Sequence, residues 1–185
     1  MNAEEEYLLG ALGDAYIDEK RNELQFYQKN LEWLKQINEI LHRNFGVRGK
    51  IFKRDVYLLR KRSKRLTARI RELLKEGGLG VNFAAGLFDS EGSVYLSTKS
   101  RIPVIDITQA SKGLGTLLHA KRAMEKAGMR CRLNGPYLHK NSILPQYHLR
   151  AYGFANLNVF RSMIPVKHPD KIAKMNHIGR PDSIL

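Results

Sequence analysis

A repeat constrains this chain more than any other feature. Tyr7-Leu8-Leu9-Gly10-Ala11-Leu12-Gly13-Asp14 and Phe83-Ala84-Ala85-Gly86-Leu87-Phe88-Asp89-Ser90-Glu91-Gly92 are both short apolar segments, rich in small residues, that run into a carboxylate. Each is followed by a strand-like stretch that closes on glutamine and feeds a helix. These are Phe26-Tyr27-Gln28-Lys29-Asn30-Leu31 and Ile107-Thr108-Gln109-Ala110-Ser111-Lys112. The helices then end alike, at Phe45-Gly46-Val47-Arg48 and Ala127-Gly128-Met129-Arg130. Gln28 to Gly46 is 18 residues and Gln109 to Gly128 is 19, so one series of elements is run twice.

Periodicity fills in that series. Residues 5–14 read as a helix, Asp18 to Asn22 as a turn, and Glu23 to Gln28 as a strand. Asn30 caps a helix with Leu31, Leu34, Ile37, Ile40 and Leu41 on one face, ended by Gly46. Arg48 to Arg54 and Asp55 to Arg62 read as a strand hairpin. Ser63 starts a helix through Leu66, Ile70, Leu73 and Leu74, and Gly77-Gly78 stops it. The second half predicts helix 82–91, strands 92–99 and 102–109, helix 111–127, strands 129–138 and 146–152, and helix 154–163. The expected class is α+β, built as two αββαββα halves over residues 1–78 and 79–164, with Glu76 to Gly80 as the linker. Pro165 and Pro169 break the chain before a basic tail, 165–185, which is expected to add backbone contacts or to form an ordered flap.

Charge narrows the partner. Lys and Arg number 32 against 18 Asp and Glu, a formal +14 with a pI near 10.0. Such a surface suits a polyanion, because neutralising phosphates releases condensed counterions. The basic residues lie along strands and helix ends rather than on one amphipathic helix, which favours nucleic acid over a membrane surface. No apolar run reaches the ~18 residues of a membrane span. Met1 to Glu6 is acidic and polar, unlike a signal peptide. Cys131 is alone, so no internal disulfide or cysteine zinc site is expected, and a reducing, cytoplasmic setting fits. His42, His119, His139, His148, His168 and His177 have no ligand spacing. Walker loop, GxGxxG, HExxH and serine-elbow patterns are absent from the sequence.

The small residues of the two repeated helices allow close approach. If those helices pack side by side and parallel, Asp14 and Glu91 emerge together at their C-terminal ends. Each alone reads as an ordinary helix-end acid; equivalent places in a repeat make them a pair. Two carboxylates at two negative dipole ends repel, unless a cation lies between them. Mg2+ (or Mn2+), which prefers oxygen ligands, is the expected answer. Carboxylates sharing metal beside a basic surface describe a phosphodiesterase.

Ala84-Ala85-Gly86-Leu87-Phe88-Asp89-Ser90-Glu91-Gly92 resembles the LAGLIDADG motif, with Glu91 at its acidic eighth position. Tyr7 to Asp14 resembles a second copy, with Gly10 four residues before Asp14 rather than five and Ala15 in place of the final Gly. The resemblance, to monomeric two-motif homing endonucleases of the archaeal intron-encoded type, spans residues 5–164. It implies pseudo-symmetric halves joined through the two motif helices, each half laying a four-stranded antiparallel saddle sheet into the DNA major groove. It implies divalent ions on Asp14 and Glu91, with the backbone carbonyls of Gly13 and Ser90, and cleavage across the minor groove leaving four-base 3′ overhangs. Gln28 and Gln109 match the family's strand-end polar residue that orders water near the scissile phosphate. Lys29 matches a basic residue beside it. Ala110 stands where the second half would need one, leaving Lys61 or Arg150 to supply that charge.

Alternation along strands exposes every second residue. Lys50, Arg54, Arg60 and Arg62 are expected on the DNA face of the first sheet with Lys61 at its rim; Lys99, Arg101, Arg130, Arg132, Lys140 and Arg150 serve the second. Tyr16, Tyr95, Tyr137, Tyr147 and Tyr152 are expected to pack the sheets. The reading is a monomeric endonuclease cutting a long, non-palindromic double-stranded site of about 14 to 20 base pairs. A maturase binding intron RNA on the same scaffold is the alternative. A basic ribosome-associated protein would have the charge without needing two acid-ended helices.

Overall fold

The computed structural model describes residues 1–138 and 143–178. The first half runs α1 (Ala3–Ala11), a 3-10 turn (Leu12–Asp14), β1 (Ala15–Asp18), β2 (Glu23–Gln28), α2 (Leu31–Phe45), β3 (Lys50–Lys53), β4 (Tyr57–Arg62) and α3 (Lys64–Glu76). The second runs α4 (Val81–Glu91), β5 (Gly92–Leu96), β6 (Pro103–Ala110), a 3-10 turn (Ser111–Gly113), α5 (Leu114–Lys126), β7 (Cys131–Tyr137), β8 (Gln146–Tyr152) and α6 (Gly153–Met163). The αββαββα scheme is thus present twice. Three elements differ from expectation. The first helix tightens into a 3-10 turn after Ala11, the helix expected over 111–127 opens as a 3-10 turn with α5 beginning at Leu114, and the tail forms a helix, α7 (Pro169–Ile178).

Local chemistry sets the ends. Asn2 caps α1 by accepting from the backbone of Glu4 and Glu5, while Glu5 accepts from the Asn2 N–H at 2.9 Å. Asn30 accepts from the Trp33 N–H at 2.9 Å and Ser63 from the Leu66 N–H at 3.2 Å. Gly46 ends α2 at φ +66°, a conformation that costs a residue with a Cβ.

Both sheets are antiparallel and ordered alike, β1-β2-β4-β3 and β5-β6-β8-β7. Alternation divides each strand between a helix-facing and an outer side. In β2, Leu24 and Phe26 are buried while Tyr27 between Phe26 and Gln28 is exposed. In the second sheet Ile105, Ile107, Leu149 and Ala151 form the buried side. The opposite sides carry Gln25, Tyr27 and Arg60 in the first sheet and Asp106 and Arg150 in the second. Among the described residues no helix is long and apolar enough to cross a membrane.

The halves meet through α1 and α4, which lie parallel and in step. A Cβ on Gly10 would be driven into the Phe83 carbonyl and to 2.7 Å from the Leu87 N; one on Gly86 would be driven into the Tyr7 carbonyl and to 2.8 Å from the Ala11 N. The two glycines are thus reciprocal, each seated on the other helix's backbone. Tyr7, Leu8, Leu9 and Ala11 of α1 and Phe83, Ala84, Ala85, Leu87 and Phe88 of α4 are buried in one shared core.

Candidate functional site

One end of the α1–α4 pair is closed by Glu6, which accepts from the backbone N–H groups of Gly80 and Phe83 and from Asn82. This carboxylate of one helix caps the positive start of the other, where Gly80 has no side chain to do so. The opposite end holds Asp14 and Glu91. A Cβ on Gly13 would sit 2.6 Å from Ser90 Oγ and 2.7 Å from Glu91 Cγ, so Gly13 lets the two motif ends close on each other.

The missing residue in the first motif is absorbed by geometry. Glu91 lies five α-helical residues past Gly86, a rise of about 7.5 Å. Asp14 lies four past Gly10, but three of the four belong to the 3-10 turn. At about 2.0 Å per 3-10 residue the total rise is again about 7.5 Å. The tighter helix brings the shorter motif to the same height.

Each carboxylate has a glutamine. Gln28 Nε2 donates to Asp14 Oδ2 at 2.7 Å, and its own Oε1 accepts from the Lys29 N–H at 2.7 Å. Gln109 lies beside Glu91 and favours its charged form. Burial pushes the Asp14 carboxyl up to about 7, the Glu91 charge adds to it, and Lys171 and Gln28 oppose it. Burial also raises Glu91, against Gln109 and Lys171. The pair is thus costly as two bare anions. Among the described residues no group of three or more His, Cys, Asp and Glu is arranged to hold a metal. Two carboxylates alone are not a closed cage, but they suit a Mg2+-like ion that keeps waters and takes phosphate oxygens from a substrate.

The positive charge at this site comes from the tail. Lys171 Nζ of α7 donates to the carbonyls of Phe88 (2.6 Å), Asp89 (2.8 Å) and Ser90 (3.4 Å) at the end of α4. Burial lowers Lys171 to about 8, and Asp89, Asp14 and Glu91 hold it up. Asp89 is fully buried, and its Oδ2 accepts from Tyr7 Oη at 2.5 Å and from the N–H groups of Lys167 and His168 at 2.7 and 3.1 Å. Tyr7 Oη in turn accepts from Trp33 Nε1 at 2.8 Å. Burial pushes Asp89 up to about 6.

The surface cations sort by register. Lys50 faces Arg60, which faces Gln25, and Arg62 faces Glu23, all on the outer side of the first sheet. Arg54 is exposed in the β3–β4 turn. Lys61 faces buried Leu24, so it starts from the helix side of the sheet rather than from the outer face. Arg132 faces Arg150, which faces Asp106, on the outer side of the second. Lys99 and Arg101 are exposed between β5 and β6, and Arg130 is exposed just before β7. Lys140 and His139 lie outside the described residues. Arg150 donates from Nε to Asp106 Oδ2 at 2.8 Å, and the cation whose charge bears on both Asp14 and Glu91 is Lys171. Lys29 is exposed at the start of α2. Tyr16 and Tyr137 are 57% and 43% exposed, which corrects their expected packing role.

Sequence reasoning missed Lys171, Asp89 and Asp106. Asp89 sits inside the motif and was readable as a second acid. Lys171 is one cation among many in a basic tail, with no spacing to mark it.

Residues 80–165 match the LAGLIDADG-like domain family. The first half, α1 through α3, repeats the topology of that matched domain, with its own small-residue helix leading to Asp14. It is 27% identical over 202 residues to the homing endonuclease I-ApeI of Aeropyrum pernix, covering 95% of this chain and 87% of that protein. Among solved structures it is similar to I-DmoI in complex with DNA and Ca (TM-score 0.68, 23% identity, 95% of this chain and 98% of that one). It is also similar to the I-LtrWI LAGLIDADG homing endonuclease bound to target DNA (TM-score 0.59, 11% identity, 99% of this chain and 93% of that one).

Proposed function

We propose that the chain is a site-specific homing endonuclease that makes a double-strand break in a long, non-palindromic DNA site, using a divalent cation. The observation that carries this is the meeting of Asp14 and Glu91 at the ends of the two parallel motif segments, each leading directly into a sheet with cations on its outer side. The naming of I-ApeI as a homing endonuclease, and the I-DmoI complexes with DNA and Ca or Mn, support the reading. Residues 1–78 and 79–164 are the two recognition halves.

Asp14 and Glu91 would hold the cations, with the Gly13 and Ser90 carbonyls as further oxygen donors. We take Mg2+, or Mn2+, as the working ion. When bound, such an ion stabilises charge on the phosphate and acidifies a water. The chain's residues do the rest. Gln28 and Gln109 fix the rotamers of the two carboxylates and leave polar atoms beside the scissile phosphates to order water. Lys29 lies beside the first of them as a phosphate contact. Lys50, Arg54, Arg60, Arg62, Arg132 and Arg150, with Lys99, Arg101 and Arg130 around them, hold phosphates and read base edges. The halves differ in these side chains, so the site they read is asymmetric.

The test is incubation with plasmid carrying the intron-free allele of the host gene, in Mg2+ and separately in Ca2+. Linear product with four-base 3′ overhangs in Mg2+ is expected, and Asp14→Asn or Glu91→Gln should stop cutting while DNA binding survives. Tight intron-RNA binding with no cleavage of any such locus would reject the nuclease.

A further inference from the structure

The tail beyond α6 is an addition to the repeated scheme. α7 has no counterpart in the first half, and its attachment is unusually polar for a surface helix. The segment before it places two backbone N–H groups, Lys167 and His168, on the buried Asp89 of α4. The same carboxylate takes the Tyr7 hydroxyl of α1, and Tyr7 is tied to Trp33 of α2. The His168 ring packs on Trp33 with centroids 5.6 Å apart, and Met175 and Ile178 are buried. The tail is therefore fastened to both motif helices and to the first half.

That fastening fixes one cation. Neither α1 nor α4 has a basic residue in its own last turn, although α4 ends on Glu91 and the 3-10 turn after α1 ends on Asp14. A helix end presents carbonyls without partners and a partial negative charge, and the two carboxylates add to it. Lys171 Nζ sits on three of those carbonyls at α4 and over the Phe88 ring, 5.3 Å from its centroid. It binds the helix end rather than either carboxylate, yet its charge reaches both.

We propose that Lys171 is a positioning residue of the cleavage centre, a fixed internal cation imported by α7 that offsets the Asp14–Glu91 repulsion and holds the end of α4, with Glu91, beside Asp14. This deepens the nuclease reading and rests on it. A plain helix cap would act through its hydrogen bonds and would change stability alone. A fixed charge acts through the field, so it competes with any added divalent ion and sustains the spacing of the two acids.

Three variants separate these roles in the full chain. Lys171→Gln keeps a donor for the carbonyls and removes the charge; Lys171→Arg keeps the charge; Lys171→Met removes both. Cleavage rate and DNA affinity are measured together with Ca2+ affinity of the protein–DNA complex by calorimetry, and thermal unfolding reports folding. The charge role predicts that Lys171→Gln slows cleavage about tenfold, leaves DNA affinity within about twofold, and tightens Ca2+ binding several-fold, with Lys171→Arg restoring most of each. Lys171→Gln behaving as the parent in rate and Ca2+ affinity, with only Lys171→Met impaired, would overturn the charge role and leave a helix cap. Weaker Ca2+ binding in Lys171→Gln would overturn it as well. Failure of the nuclease reading is recognised separately, because the parent protein would then cut no DNA.

Discussion

Arg60 and Arg150 occupy equivalent registers on β4 and β8, one opposite Gln25 and the other opposite Asp106. Arg60 is 46% exposed, lies over the Phe52 ring and reaches Glu23 only at 3.8 Å. Arg150 is 25% exposed and held by Asp106, beside His148, which itself contacts Asp106 at 3.0 Å and Thr108 at 3.0 Å. The same topology thus carries two kinds of reading surface. In the first, Arg60 is the looser side chain, with only a distant carboxylate, while Gln25 beside it is tied to Glu23 and Tyr27. The second is ordered beforehand around a carboxylate that is only 5% exposed. Order before binding removes part of the entropy cost of contact, while an adaptable face tolerates sequence variation.

The acid pair divides the halves in the same way. Asp14 ends a 3-10 turn and Glu91 an α-helix; among the described residues, only the second has a lysine on its last carbonyls. The largest expected effect, which would sharpen this contrast, is on cleavage itself. Asp14→Asn and Glu91→Gln should each lower double-strand cutting on the order of 10³-fold with DNA affinity little changed, read by gel cleavage and band shift. If one variant still nicks one strand, the two acids serve separate strands and the asymmetry is functional.

Next in size is the buried ion pair. Asp106→Ala should cost about 3 kcal/mol in denaturant unfolding, because it leaves Arg150 and His148 without their anchor. Gln25→Ala, at the equivalent register, should cost less than about 1 kcal/mol. Equal losses would break the distinction between loose and ordered faces. Discrimination should follow the same order: Arg150→Ala relaxes base preference in its half-site by about 1 to 3 kcal/mol, as scored by cleavage of a substituted-site library, and Arg60→Ala by less.

The smallest expected effect is on pH. Asp14 holds its proton up to about 7 in the folded chain against an ordinary 3.8. Between those values the folded state binds a proton that the unfolded state does not, so this group's contribution to stability is present at low pH and is lost as pH rises toward 7. A cation must displace that proton, so its affinity should fall up to about tenfold per unit below pH 7. Thermal unfolding with and without Ca2+ checks this: stabilisation by the ion should be larger at pH 8 than at pH 6. Equal stabilisation at the two would leave burial of Asp14 without consequence for the ion.

Much of the arrangement was legible because it is periodic or local. Asn30, Gly46 and Ser63 mark helix ends by short-range hydrogen bonding and backbone freedom, and the structure uses each of them so. Asp14 and Glu91 were readable as a pair because the repeat places them equivalently. Gln28 was readable for the same reason, since it closes a strand whose antiparallel partner follows the motif. The outer-face arginines followed from strand alternation, which sets Lys61 on the other side, opposite buried Leu24.

By itself the sequence determined the doubled αββαββα order, the two small helix faces and the basic surface, since these depend on spacing, propensity and composition. Tertiary structure alone decided that the tail returns to the end of α4, that Lys171 rather than a sheet residue sits by the acids, and that Asp106 claims Arg150. Those contacts join residues some 40 to 80 positions apart. No periodicity links such partners. They are chosen by which surfaces remain to be buried, and which charges to be offset, once the repeated elements have packed.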